Sequence, residues 1–418
     1  MVRWVTQKSG WRFGRDRCPT APKREVTSVN RLSPKSRTVL GCVATMFWNV
    51  SLRALLFSLI PVIARDLDLS SFKAAAFVIA ANLGYVVAVW FSGRLGGPPR
   101  RVIITGALIA LGSLLATAFV EGYVPLLAAI IAMCFGTGLY MPKGLFLLSE
   151  VTEVNERGRY LSFHELGAMG AFVVGPLVAG LALSRMGPIH VLLAWGGSTT
   201  LVILVLMAFV PNPARYPTPS VGGKRTAGDG ALWGFVFTGG AIFSILGGLF
   251  SILPVILVDK AGLDPKAAAY YVGAVRIAGM AGPLIAGPVS DLLGRSSVMA
   301  GLLGLSAASL GVAAFSGYGA TFWTSVTITV IAISGAPTAF FASVTEYYRR
   351  RVQDGVVGTV ASLSNGAGMV VAPLVLAALL ERSTSGTVFG AVAIIAALGG
   401  TLSLVTSRVC GPESSQEG

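Results

Sequence analysis

"SLRALLFSLIPVIARD" occupies Ser51–Asp66 and "SILGGLFSILPVILVD" occupies Ser244–Asp259. Within them, FSLIPVIARD (57–66) and FSILPVILVD (250–259) share six of ten residues at an offset of 193. A second pair, AFVVGPLVAG (171–180) and GMVVAPLVLA (368–377), recurs at an offset of 197. Two independent matches at nearly one offset mark an internal duplication. The copies differ at one costly position: Arg53 in the first is Leu246 in the second.

The surroundings of these stretches set the class. The chain has 418 residues, 54% hydrophobic and only 12% charged, against about 25% charged in a soluble domain. Apolar runs of roughly 20 residues, the length that crosses a hydrocarbon core, follow one another with short breaks. They are continuous rather than alternating, so they are helices and not barrel strands. Twelve spans are predicted at 39–62, 70–92, 101–120, 123–148, 159–182, 188–210, 231–257, 268–289, 297–316, 320–343, 355–379 and 386–408. The class is an all-α membrane protein.

The duplication divides the chain into a basic tail (1–37), a first half (38–210), a linker (211–230), a second half (231–408) and a C-terminal tail (409–418). The linker is rich in Pro, Gly, Ser and Thr and reads as flexible. Basic residues outside the spans cluster on one side. Beyond the tail, 13 Lys and Arg lie on the side of the termini and six on the other, which predicts both termini to be cytoplasmic. The net charge of +14 is therefore mostly topology, and no nucleic-acid partner is expected. The tail's ten basic residues and three aromatics suit anionic lipid head groups. A disordered anchor or a transit-peptide-like leader are the competing readings. A multi-pass protein of the plasma (cell inner) membrane is expected, as a monomer in contact with membrane lipids.

Several chemistries are disfavoured. Cys18, Cys42, Cys134 and Cys410 are scattered, and His164 and His190 are far apart. No disulfide framework or metal site is expected. No phosphate-binding loop is present, and the spans hold no paired aspartates or Ser–His dyad. Neither a cofactor nor an enzyme is expected.

Charges inside the spans point to a site. A cation at a helix centre costs about 2.5–3.5 kcal/mol, so it faces protein or water and is a functional candidate by default. Arg53 lies near the middle of the first span, with Asn49 and Phe57 on the same face. Arg276 lies in the eighth span, in the other half. Lys143 shares a face with Tyr140 in the fourth span, with snorkelling to the surface as its competing reading. Against three cations, the one plausible intramembrane acid is Glu165, beside His164. Such a cavity attracts anions, and arginine offers a bidentate fork to them. Asn82, Trp323 and Asn365 are softer lining candidates. His164 and Glu165 are the groups able to carry a coupling proton. Exchange against a counter-anion needs no such group.

After the eighth span, "GPVSDLLGR" (Gly287–Arg295) shows a G-x-x-x-D-x-x-G-R pattern that resembles the loop signature of the major facilitator superfamily. Gly287, Asp291, Gly294 and Arg295 match it. The earlier copy, "GRLGGPPRR" (93–101), keeps Gly93, Arg100 and Arg101, with Gly97 at the aspartate position. Gly175-Pro176 in the fifth span looks like the family's fifth-helix motif. The resemblance covers residues 38–408 and implies two six-helix halves related by a pseudo-two-fold. It also implies a gating role for Gly287, Asp291, Gly294, Arg295, Gly175 and Pro176. The expectation is a secondary transporter of a small organic anion, a carboxylate or phosphorylated metabolite, moved by proton symport or anion exchange. Proton-coupled efflux of drugs or amphiphiles is the alternative. A non-transporting receptor or scaffold is a third reading.

Overall fold

The computed structural model describes residues 32–213, 230–350 and 354–409. Most of the basic tail, the linker from 214 to 229 and the C-terminal tail beyond 409 lie outside the described residues. Among those residues every regular element is helical. Twelve helices are long and apolar enough to cross a membrane.

In the first half these are α1 (Pro34–Asp66), α2 (Ser71–Arg94), α3 (Pro99–Ala116), α4 (Tyr123–Val151), α5 (Arg157–Ala182) and α6 (Pro188–Phe209). In the second half they are α7 (Gly230–Lys260), α8 (Tyr270–Leu293), α9 (Arg295–Phe315), α10 (Ala320–Arg350), α11 (Gly355–Arg382) and α12 (Ser385–Val409). Each overlaps its span in the sequence, and α10 runs seven residues past the expected end at 343.

Local chemistry explains where helices start and stop. Ser33 caps α1 by accepting the Ser36 N–H at 3.1 Å, with Pro34 at the first helical position, where its missing N–H costs nothing. Ser70 caps α2 in the same way through Lys73. Gly97 and Gly294 each turn the chain with φ +88 just before α3 and α9, a conformation that favours glycine. Lys35, in the first turn of α1, pairs with Glu156 in the α4–α5 connection and holds that carboxyl below its usual range.

Within each half, helices pack in the same pattern: α1 on α5 and α2 on α4 in the first, α7 on α11 and α8 on α10 in the second. The halves meet mainly through two symmetric pairs, α2 with α11 and α5 with α8. On the side of the termini these contacts are backbone-close. A Cβ on Gly358 would fall 2.6 Å from the Gly93 Cα, and one on Gly158 would fall 2.6 Å from the Gly287 carbonyl. Small residues at helix crossings permit this approach.

The two halves are not identical in detail. α7 contains wide π-helical turns at Ser244–Leu249 and Ile256–Lys260, and α11 contains one at Ala367–Val371. The counterpart stretches of α1 and α5 are regular α-helix. The Ser244–Leu249 and Ala367–Val371 turns touch, with the Gly368 carbonyl 2.9 Å from where a Gly247 Cβ would lie. Such turns recur at functional sites.

Candidate binding cavity and its gate

A cavity of about 480 Å³ lies between the halves. In α1 its lining runs from Met46 to Ser58, about 12 to 24 residues above the helix start. At 1.5 Å per residue, that places it from the middle of the membrane toward the side away from the termini. On the side of the termini, the glycine contacts of α5–α8 and α2–α11 seal it.

Arg53 and Arg276 both line this cavity. Their settings mirror each other. The Arg53 guanidinium stacks 3.8 Å from the Tyr85 ring of its own half, and its Nη1 lies 3.6 Å from Met369 Sδ of the other. The Arg276 guanidinium lies 5.5 Å from Phe250 of its own half and 4.6 Å from Phe172 of the other. Phe172 and Met369 are counterparts at the 197-residue offset. Each cation therefore reaches across to the same position of the opposite repeat.

Among the described residues, neither guanidinium lies within ion-pairing distance of a carboxylate. Arg53 is buried, and its Nε lacks a hydrogen-bond partner. A buried charge held by ring faces and a thioether alone is under-compensated. Around these two cations the wall is mostly apolar, with Met46, Phe57, Met169, Phe243 and Phe341 among its members.

The other candidates divide. Asn82 and Asn365 line the cavity. Asn82 Nδ2 donates to the Met369 carbonyl at 3.1 Å across the halves, and Asn365 Nδ2 donates to Ala361 in its own helix. Glu165 and Pro176 also line it. His164 stands behind Glu165, fully buried, with Nδ1 3.0 Å from Glu165 Oε1. Gly175 packs against α1, where a Cβ would come 2.9 Å from the Leu55 nitrogen.

Four expected lining residues stand elsewhere. Lys143 is buried and donates to the Leu95 carbonyl at 2.6 Å, near the end of α2. Tyr140 donates to the Cys42 carbonyl at 2.7 Å and stacks on His164. Trp323 packs edge-on against Tyr271, 4.3 Å between ring centroids. Asn49 is buried just outside the lining, and both its polar atoms lack partners among the described residues.

At the sealed end Asp291 joins the halves. Its carboxylate accepts the backbone N–H groups of Gly158 at 2.9 Å and Arg159 at 3.0 Å, in the first turn of α5. It also pairs with Arg295, whose Nη2 donates to the Val154 carbonyl at 2.6 Å. An acid at a helix N-terminus meets unpaired donors and the positive end of the dipole. The earlier loop has no equivalent. Matching the close-contact glycines Gly93 and Gly287 sets Gly97, which has no side chain, at the position of Asp291. Arg94 folds back over Trp90, 3.8 Å from its ring. Among the described residues, a carboxylate capping the facing helix is seen on the α5–α8 side of the gate.

Sequence reasoning missed Tyr85, Phe172, Phe250 and Met369, the residues that hold the two cations. Their types are ordinary for spans, and only the neighbouring helix reveals their role. The repeat carried one signal, since Phe172 and Met369 differ just before the otherwise matching "VV-PLV" segments.

The sequence profile of the Major Facilitator Superfamily matches residues 39–291 and 249–417. An MFS-type transporter of Bacillus subtilis (strain 168), YfnC, is 22% identical over 383 residues, covering 84% of this chain and 88% of that protein. The arabinose-proton symporter of Escherichia coli (strain K12) is 23% identical over 148 residues, 35% of this chain and 31% of that one. Among solved structures, the human organic anion transporter MFSD10 (TETRAN) superposes with a TM-score of 0.71 at 14% identity, covering 89% of this chain and 100% of that one. The transporter FucP in its outward conformation gives 0.69 at 17% identity, covering 89% and 98%. At these identities the superpositions speak to fold.

Proposed function

The chain belongs to the major facilitator superfamily, whose members are transporters and not enzymes, and on that premise we propose that it carries an amphipathic organic anion. The observation that carries this reading is the pair of cations, one from each half, facing an apolar cavity without carboxylate partners. A bound carboxylate or sulfonate supplies the missing counter-charge and accepts the guanidinium forks. The Phe and Met walls take its apolar body. A compact phosphorylated metabolite fits that wall less well, because its hydroxyls would stay unpaired.

Each arginine contacts the opposite half, so an anion held by both ties the halves together in the present arrangement. Rocking the halves about this site exposes it to alternate sides, as repeat-built transporters do. In this reading the side of the termini is cytoplasmic, and the sealed gate is the cytoplasmic one. The likeness to an organic anion transporter is one of fold and only accords with this.

A thermal-shift series tests the charge requirement. We expect 1-naphthalenesulfonate and 1-naphthoate to stabilise the purified protein, by about 2.7 kcal/mol at a hundred times Kd. The neutral 1-naphthalenemethanol and the cationic 1-naphthylmethylammonium should leave it unmoved. The apolar walls also suit the efflux of amphiphiles. Stabilisation by the cation, with none by the anions, would favour that second reading and sink the first.

A further inference from the structure

A second hollow lies outside the cavity, on the membrane-facing side of the first half. α5 and α6 both pack on α1 but barely meet each other, so α1 floors a gap between them. The gap is an open groove of about 510 Å³. Leu40, Ala44 and Trp48 of α1 form its floor, with Leu166 on the α5 side and Val202 on the α6 side. Leu40 and Val202 are exposed. At 1.5 Å per residue, the floor runs from about 9 to 21 Å above the start of α1, which is acyl-chain depth in the leaflet on the side of the termini.

The groove is apolar and closed off from the cavity. Ser198 and Thr199 line its α6 side, but their hydroxyls each donate at 2.7 Å within their own helix, to the Ala194 and Trp195 carbonyls. Trp48 Nε1 donates to Thr200 Oγ1 at 2.9 Å. The wall therefore offers hydrocarbon to its occupant. Behind it, a Cβ on Gly167 would fall 2.6 Å from the Val43 carbonyl, so α1 and α5 meet too closely for the groove to continue inward.

At the end nearest the termini the floor carries a cation. Arg37 stands three residues before Leu40, seven before Ala44 and eleven before Trp48, the spacing of one helical stripe. Its Nε is hidden from solvent and lacks a hydrogen-bond partner among the described residues, and no carboxylate there pairs with it. On α5, Arg159 and Phe163 precede Leu166 by seven and three residues, on the same stripe, and Arg159 is exposed. Glu156, the acid beside Arg159, is already paired with Lys35. A hydrocarbon groove with uncompensated cations at head-group depth matches a molecule with a long chain above and a phosphate below.

We propose that this groove is a binding site for an anionic phospholipid of the leaflet on the side of the termini. One acyl chain lies along the α1 floor between α5 and α6, where its burial is favourable. The phosphate accepts the Arg37 guanidinium, and Arg159 adds positive charge at the rim. A choline-headed lipid of the same chains keeps the groove contact, but its own ammonium offsets the phosphate, so the site distinguishes the two head groups. The groove is separate from the cavity, and its test does not depend on what the cavity carries.

Native mass spectrometry of the full-length protein tests this. The protein is delipidated in detergent and given phosphatidylglycerol and phosphatidylcholine of identical chains in equal amounts. The wild type should retain one phosphatidylglycerol with about a tenfold preference, the factor that one hydrogen bond to a charged group supplies. Arg37→Gln should lose most of that preference, and Arg37→Lys, which keeps the charge, should hold much of it. Val202→Trp, a change at an exposed position that narrows the groove, should retain less of both lipids. Arg101→Gln removes a cation from the first turn of α3 on the same membrane side and should leave the preference unchanged. Glycerol 3-phosphate, a head group without chains, should not compete.

Equal retention of the two lipids by the wild type would overturn the proposal. So would an undiminished preference in Arg37→Gln, or the same loss in Arg101→Gln, which would assign the selectivity to diffuse surface charge. A lipid-free dimer would give the groove to a second copy of the chain and overturn it as well.

Discussion

Arg53→Ala and Arg276→Ala each weaken binding of 1-naphthalenesulfonate by about 10- to 100-fold and, in the empty protein, raise thermal stability. Both effects come from one fact: among the described residues neither guanidinium lies within ion-pairing distance of a carboxylate. A hydrogen bond to a charged group contributes about 1.5–3 kcal/mol, and about 1.4 kcal/mol is tenfold in Kd. Without the anion, each arginine is a cost. Arg53 keeps only the Tyr85 face and the Met369 sulfur, and cation–π contact recovers about 2 kcal/mol when desolvated. Lysine at either position keeps the charge but loses the planar fork, so Arg53→Lys should fall between wild type and alanine. Calorimetric titration reads the affinity and a melting curve reads the stability. Unchanged binding in both alanine variants would remove the cavity cations from the site.

Asp291→Asn opens the gate on the side of the termini. Its carboxylate holds two backbone donors of α5 and the Arg295 guanidinium together, so one charge ties α5 to α8 and, through Arg295, to the Val154 carbonyl. Neutralising it removes charge-assisted character from three bonds. A loss of about 2–3 kcal/mol moves the closed-to-open ratio by roughly 30- to 150-fold. Spin labels at Val154 and Leu292, both exposed, should show a longer distance population that is minor in the wild type. Gly287→Ala should act in the same direction by a different route. Its Cβ would meet the Gly158 carbonyl at 2.5 Å, which forces the helices apart. An unchanged distance distribution in Asp291→Asn would assign the closed gate to the glycine contacts alone.

The sequence shows the twelve helices and the duplication plainly, because both rest on composition and periodicity. Arg53 and Arg276 are equally legible, since a mid-span cation has few places to go. Lys143, Tyr140, Trp323 and Asn49 were legible only as to depth. Helical periodicity tells which residues share a face, not which neighbour that face meets. Tyr140 faces Cys42 and His164, and Lys143 faces the end of α2, so neither reaches the cavity. The gate loops show another limit. The ungapped alignment and the paired glycine contacts both set Gly97 against Asp291, yet the two positive-φ glycines, Gly97 and Gly294, then fall out of register. The connection from α2 to α3 is longer than that from α8 to α9, and only the backbone shows it.

The charges around the cavity also bear on voltage. Arg53 and Arg276 sit in its lining, with Glu165 as the one acid there. Loading one monovalent anion, as proposed, lowers the charge that the carrier moves by one unit. A single charge crossing a membrane feels about 2.3 kcal/mol per 100 mV. The full and the empty carrier therefore respond differently to the membrane potential, and anion flux without a compensating ion would be sensitive to it.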